Sequence, residues 1–441
     1  MSMVVKNNMS AINTLNVLNV NTQNLTKNLA KVSSGMKING AADDASGYAI
    51  SERMRVQIRS LDQDKANTQN GSSLMKVAEG AVSSTVDILK TLKEKVINAA
   101  NDTNTDSDRA TIQKELDQSI DQINDNANVT FNGKYLVDGS HNNMVTQTTT
   151  AMTNQSLAVG TTWGSAITSL KNRNDNSLCI SSTDSVTVSF VNMGRTYTST
   201  FKVEDKTLSD IIANANKAWN AKGKTGNAME TKGAASFIGL DASTNSVYTA
   251  SGENGLTIAA GTSGVNGQIG GLTISITDNT GKVNKSANAV LDDFTEMIRA
   301  QNGSVDNAIV LQIGTKASQS IKAGMTDMRA VALGLQGTDG ATLSVATQQN
   351  ANAAINVLDA AIQKALDQQT TIGSIQSRLE YTASNLTTAS ENVQSAESVI
   401  RDADMAKEMT EYTKNNVLMQ AAQSMLAQAN QNSSNVLSLL Q

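Results

Sequence analysis

Near the end of the chain, apolar residues recur every seventh position without a break: Leu358, Ala365, Ile372, Leu379, Leu386, Val393 and Ile400. Ile362 and Ala383 fill some intermediate positions of the stripe, while Gln369, Gln376, Ser390 and Glu397 leave others polar. From Asn350 to Arg401 only Gly373 disfavours helix. At about 1.5 Å per residue the pattern predicts a rod of roughly 75 Å. A strict seven-residue stripe on such a rod needs partner helices carrying matching stripes.

The other end of the chain supplies them. Residues 4 to 36 carry Ala11, Leu15, Leu18, Thr22, Leu25, Leu29, Val32 and Met36, spaced alternately by four and three. Gly35 and Gly40 close this helix, residues 41–47 form a small-residue connector, and Tyr48 to Asp64 resume helix with a charged face. A third stripe follows at Met75, Ala78, Val82, Thr85, Leu89, Leu92, Val96 and Ala99. Thr105 and Asp108 read as a capping box that opens a helix striped by Ile112, Leu116, Ile120, Ile123 and Ala127. Phe131 to Gly139 reads as a strand bounded by turn residues. Past Arg401 a last stripe runs Leu418, Ala422, Met425, Ala429, Asn432, Val436 and Leu439.

Between these helical ends the pattern changes period. From His141 to about Val305 the chain is rich in Thr, Ser, Gly and Asn, with short alternating runs. Val186, Val188 and Phe190 alternate, Asn192 to Arg195 turns, and Tyr197, Phe201 and Val203 continue, which predicts a hairpin. Leu272 to Ile276 predicts another strand, and short helices are expected from the Thr207–Asp210 capping box and around Leu291 to Ala300. Val310 to Gly314 returns as a strand, and helix resumes near Gln348. The fold class that follows is mainly α with an α+β insert. Long antiparallel coiled-coil-like helices come from the N- and C-terminal segments, with a β-rich outer domain inserted between them.

Composition narrows the chemistry. The 441 residues contain no proline, where ordinary usage gives on the order of twenty. Proline breaks helices and isomerises slowly, so its absence suits long rods. Basic and acidic residues are well mixed around a net charge of −5, which leaves no nucleic-acid footprint. No apolar run approaches the about 18 residues that crossing a membrane requires, so no membrane insertion is expected, and the first residues lack a signal-peptide apolar core.

With one histidine, His141, and one cysteine, Cys179, neither a Cys/His zinc site nor a paired-histidine motif can be built within the chain. Asp102 to Asp106 begins like a calcium loop, but Ser107 stands at the glycine position and Gln113 at the closing glutamate. Residues 218–225 approach a phosphate loop, yet Ala218 replaces its first glycine. No enzyme, no catalytic residue, no cofactor and no metal is expected.

Stripes of this kind also serve packing within one chain. Three features favour assembly between chains. The stripes lie at both chain ends, where isolated domains fray. Two helices are too thin to bury themselves alone. The ends also differ in charge, with Lys6, Lys27, Lys31 and Lys37 on one side and Asp402, Asp404, Glu408 and Glu411 among the charges of the other.

Several stretches resemble the bacterial flagellins: residues 9–16, 31–39, 42–47, 49–55 and 131–133 at one end, and 400–408, 425–431 and 435–440 at the other. The likeness covers roughly 1–139 and 310–441, and the insert matches nothing specific. Flagellins commonly end in arginine and carry proline after the Ala-Asn-Gln segment, where this chain has Gln441 and the Ser433-Ser434 pair.

The resemblance implies a structural subunit that self-assembles into a helical flagellar filament for motility and is exported unfolded through the type III apparatus. A hook–filament junction protein or a secreted adhesin is the alternative. It further implies a filament-core domain of residues 1–45 and 402–441, a helical rod domain of 46–140 and 309–401 with a small β region, and a variable surface-exposed insert, 141–308. Filament-core packing would fall to Leu15, Leu18, Leu25, Leu29, Val32, Leu418, Met425, Val436 and Leu439. Rod packing would use Val82, Leu89, Leu92, Val96, Ile112, Leu116, Leu358, Ile372, Leu379, Leu386, Val393 and Ile400.

The partners implied are other copies of the chain, the export apparatus, a flagellin chaperone, and cap and hook-junction proteins. The charge-free runs 7–26 and 415–441 would then offer a neutral lining to the unfolded subunits that pass along it. An animal Toll-like receptor would meet Lys90, Thr91, Lys93, Glu94, Lys95 and Glu115. Its affinity would be weakened because Thr91 stands where a planar arginine is expected and Lys95 where an apolar contact is expected.

Overall fold

The computed structural model describes residues 8–439. The chain divides into two units. One takes in the chain up to Thr68, Gln312–Gln319 and the chain from Tyr381 onward; the other takes in Gln69–Leu311 and Ser320–Glu380.

The first unit is helical. Helix α1 (Met9–Ser34) is started by Asn8, whose side chain accepts from the Ala11 amide, and stopped by Gly35 in the left-handed conformation. Helix α2 (Ala45–Ala99) is capped by Asp44, which accepts from the Ser46 and Gly47 amides. It runs on without a break, so the stretch 48–64 and the stripe 75–99 belong to one helix rather than two. Helices α2 and α6 (Gln348–Arg401) meet here where Ser390 donates to Asp62 at 3.2 Å, and Leu61 and Leu386 are both buried. Helix α7 (Met405–Leu439) completes the unit.

In the second unit α2, α3 (Asp106–Ala127) and α6 share a core of Met75, Val82, Leu89, Leu92, Val96, Leu116, Ile120, Ile123, Leu358, Ala365 and Ile372. The Thr105–Asp108 capping box starts α3. The irregular segment 324–347 lies along this bundle and is fastened by polar side chains of α3. Gln113 accepts from the Val345 amide and donates to the Leu343 carbonyl, Asp117 accepts from the Thr342 hydroxyl, and Asn124 accepts from the Ala330 amide. Long irregular segments need such partners, because a buried backbone amide without one is costly.

Where a single strand was expected over 131–139, the chain makes a minimal hairpin, β1 (Thr130–Phe131) with β2 (Lys134–Tyr135). Asn132 and Gly133 both take positive φ, at 50° and 76°. That pair is the signature of the tight hairpin turn.

The outer region builds two antiparallel sheets. One is ordered β10 (Gly270–Thr277), β4 (Ser185–Asn192), β5 (Arg195–Lys202). The other is ordered β11 (Phe294–Ile298), β3 (Ala151–Asn154), β9 (Gly255–Ala260), β6 (Met229–Ala235). A small hairpin, β7 (Phe237–Leu240) with β8 (Ser246–Tyr248), stands beside them, and β12 (Ile309–Gln312) pairs β13 (Ser320–Ala323).

Helices α4 (Leu208–Ala221) and α5 (Lys285–Leu291) close the core, in which Phe190, Tyr197 and Trp219 stack with centroids 5.0 to 6.3 Å apart. The expected helix at 291–300 is a strand instead. Helix α5 ends at Leu291, Asp292 accepts from the Ile274 amide, and the reversed chain adds β11 to the open edge of β3.

The outer sheets sit on α6 through a glycine. Gly271 has φ +59°, and a Cβ there would lie 2.0 Å from the Ala353 carbonyl oxygen. Gly271→Ala is expected to cost about 2 kcal/mol or more, from left-handed strain and loss of the close approach. Chemical denaturation of the full chain measures it.

Candidate assembly interface

Helices α1 and α7 run antiparallel. Asn8 donates to the Ala429 carbonyl at 3.1 Å near one end, and Lys31 pairs with Glu408 at 3.8 Å near the other. The half-buried face of α1 is Ala11, Thr14, Leu18, Asn21, Leu25, Asn28 and Val32; that of α7 is Tyr412, Asn415, Met419, Ala422, Leu426 and Ala429, with the two alanines and Asn415 buried. Small Ala422 and Ala429 let the helices approach closely.

On α1 no residue is fully buried. Leu18, Leu25 and Val32 face the partner helix, whereas Leu15 and Leu29 stand 44% and 51% exposed on its flank. On α7 the contact runs through Met419 and Leu426 rather than their neighbours Leu418 and Met425, which are 43% and 62% exposed. The side chains of Val436 and Leu439 lie outside the described residues. Ile12, Val20 and Val417 add to the exposed apolar surface. Scattered apolar side chains are ordinary, but long stripes on thin helices mark contact sites.

The helix pair is clasped where both chain ends turn. Met36 bridges Asp402, the Lys37 amide donates to the Arg401 carbonyl at 2.7 Å, and the Ala403 amide to the Gly35 carbonyl at 2.9 Å. Arg401 is buried at the centre. Its Nη1 donates to Glu52 Oε1 at 2.7 Å, its Nε contacts Met36 Sδ at 3.2 Å, and its guanidinium lies over the Tyr48 ring. The guanidinium holds the Glu52 carboxyl below the ordinary carboxylate range, so the pair is intact at neutral pH and is lost on acidification. Sequence reasoning placed Arg401 at a helix end but missed this role, because its partner Met36 is 365 positions away and no local pattern marks it.

Of the rod positions, Val82, Leu89, Leu92, Val96, Leu116, Leu358, Ile372, Leu379 and Leu386 are buried, and Ile112, Val393 and Ile400 are half-buried. The segment read as receptor-facing carries its own pairs. Lys90 meets Asp87 at 3.3 Å, the Thr91 hydroxyl donates to the Asp87 carbonyl, Lys93 donates to Asp359, and Lys95 meets Glu115 at 3.1 Å, while Glu94 is exposed.

Asp102 and Asp106 flank Arg109 at the start of α3, and Trp219 sits in the aromatic stack. His141 Nδ1 lies 3.1 Å from the Asn307 carbonyl oxygen. Among the described residues no group of three or more His, Cys, Asp or Glu could hold a metal, and no helix is long and apolar enough to cross a membrane.

Residues 5–142 match the family model of the bacterial flagellin N-terminal helical region, and 355–440 that of the C-terminal helical region. A flagellin of Clostridium tyrobutyricum is 34% identical over 97% of this chain and 99% of its own length. A flagellin of Bacillus subtilis (strain 168) is 30% identical over 99% of this chain and 100% of its own. Among solved structures, hook-associated protein 3 of Legionella pneumophila is similar at 14% identity, covering 78% of this chain and 97% of that one, with a TM-score of 0.33; at that score the likeness carries no weight.

Arg401→Ala should open the clasp. Proteolytic cleavage in the 402–407 segment of the monomer is expected to quicken several-fold, and Arg401→Lys to restore little of the protection, because one ammonium cannot serve Glu52, Met36 and Tyr48 together. Time-resolved limited proteolysis reads both.

Proposed function

Because the chain belongs to the bacterial flagellin family, we propose that it is a structural subunit of the helical flagellar filament, whose exposed stripes on α1 and α7 are completed by further copies of itself. The observation that carries this is that α1 buries no residue fully while Leu15 and Leu29 stand open on its flank. Head-to-tail contacts that do not close on themselves yield filaments rather than rings.

In this assignment residues 1–45 and 402–441 form the filament core, 46–140 and 309–401 the rod around it, and 141–308 the outer surface. The protein acts outside the cell as part of the flagellum, is exported through the flagellar apparatus, and meets a chaperone, a cap and a hook-junction protein on its way. Its role is mechanical, without a catalytic residue, cofactor or metal. Receptor engagement at 90–95 and Glu115 is weak, supported by the absence of a planar donor at Thr91 and by the charge of Lys95, which Glu115 neutralises within the chain.

Purified monomer added to filament seeds should extend them under the electron microscope, and the terminal segments should become protease-resistant in the filament. The double variant Leu15→Asn, Leu29→Asn should keep the monomer's stability within about 1 kcal/mol, since exposed positions tolerate change, yet fail to extend seeds. Wild-type filament lengths from that variant would overturn the assignment, and a wild-type monomer that never extends seeds would indicate a junction protein.

For the receptor, Thr91→Arg with Lys95→Leu should raise potency in a Toll-like receptor reporter assay by about tenfold. Unmodified protein already as potent as a pattern-matching flagellin would contradict the weak-engagement reading.

A further inference from the structure

Strand β11 carries a carboxylate where the outer sheets meet the rod. Glu296 sits at an irregularity in the pairing of β11 with β3, and its side chain turns inward. Both carboxylate oxygens are buried and make no hydrogen bond. They border a small, partly open void of about 10 Å³, room for about one water, whose walls include Gln268, Gly270, Leu333, Val357 and Ala360. Gln268 Oε1 is also buried and unpartnered. Three acceptor oxygens thus lie at this wall without a hydrogen bond, and a proton on Glu296 turns one of them into a donor.

The cations that face Glu296 are shared with other acceptors. Arg299, on the same strand, has Nε 3.5 Å from Glu296 Oε2 but gives Nη1 to Asp367 of α6 at 2.7 Å. Lys364 of α6 gives its ammonium to the Ala332 carbonyl at 2.8 Å. Asp327 acts on Lys364 and is itself held by Arg329. Lys364 also lines an open cavity of about 390 Å³ with Asp138, Asn302 and Arg329, which brings water to the edge of the cluster.

We propose that Glu296 is a proton-operated latch: protonated, it docks the outer β region on α6, and ionised, it loosens that docking. Burial supports this by raising the Glu296 carboxyl from 4.5 to about 7. A group held near 7 when docked and at its ordinary value when released makes docking tightest below pH 4.5. Docking then weakens with each step up to about 7, where the loss is complete.

Lys364 acts in the alkaline range. With its amine lowered by burial from 10.5 to about 8, its charge weakens docking as pH falls from 10.5 to 8 and adds no further change below that. Docking is thus weakest between about pH 7 and 8. Asp292, just before β11, is raised by burial to about 6 and must be separated experimentally.

Hydrogen exchange on the full-length monomer tests the latch through the amides of β11 and β3, corrected for intrinsic exchange. The opening constant should rise about fifty-fold between pH 5 and 7.5 in the wild type. The rise should persist in Asp292→Asn, and in that background Glu296→Gln should reduce it to less than about threefold. A flat wild-type profile, a Glu296→Gln change that keeps the rise in that background, or an Asp292→Asn variant that abolishes it would each overturn the proposal. Should Glu296→Gln not fold, carboxyl-13C spectra of wild-type protein labelled at glutamate decide the matter. One glutamate titrating with a midpoint between about 6 and 8 supports the latch, and none above about 5.5 refutes it.

Discussion

The apolar residues of α1 spread over a face wider than its one neighbour covers, with Ile12, Val17 and Val20 exposed beside the stripe. Packing on α7 covers Leu18, Leu25 and Val32 and leaves Leu15 and Leu29 at the flank. The geometry is general: an apolar face wider than about 100° needs two contacts, and a pair supplies one. The terminal unit is therefore unfinished as a single molecule, which is what a polymer-forming subunit requires.

The unfinished pair is nevertheless held in register. The bridge between Met36 and Asp402 and the buried guanidinium of Arg401 tie the two reversals of the chain together, so α1 and α7 present their flanks in a defined orientation. Small residues do complementary work along the contact: Ala422 and Ala429 reduce the spacing, while Asn21, Asn28 and Asn415 line the seam without charge.

The second unit is built on the opposite principle. Its helical core is closed, with Leu89, Ile120 and Leu358 fully buried, and its loops are fastened by Gln113, Asp117 and Asn124. At the Glu296 void a buried carboxylate remains without a hydrogen bond. Such a group costs free energy unless its charge is removed, and that cost gives the outer region its sensitivity to protons.

How much was legible beforehand depended on how local the cause was. The seven-residue stripes, the Thr105–Asp108 and Thr207–Asp210 caps and the Met193-Gly194 turn act within a few residues, and the helices and hairpin appeared where those signals placed them. The family was legible too, from stretches at both ends. Where two local signals competed, the reading failed: the apolar run after Leu291 suits a helix, and only the free edge of β3 made it a strand. The Asn132-Gly133 pair is a local hairpin signal of the same kind.

The sequence by itself determined that both ends are helical, that they carry matching stripes, and that a β-rich segment lies between. Periodicity and capping suffice for that, because they are set by neighbours along the chain. Only the tertiary structure decided which side of each stripe meets its partner, so that Met419 and Leu426 face inward rather than Leu418 and Met425. It also decided that Arg401 would close the clasp and that the Glu296 carboxylate would be buried without a hydrogen bond. Burial and pairing at these sites arise between residues far apart in sequence, where no periodicity can encode them.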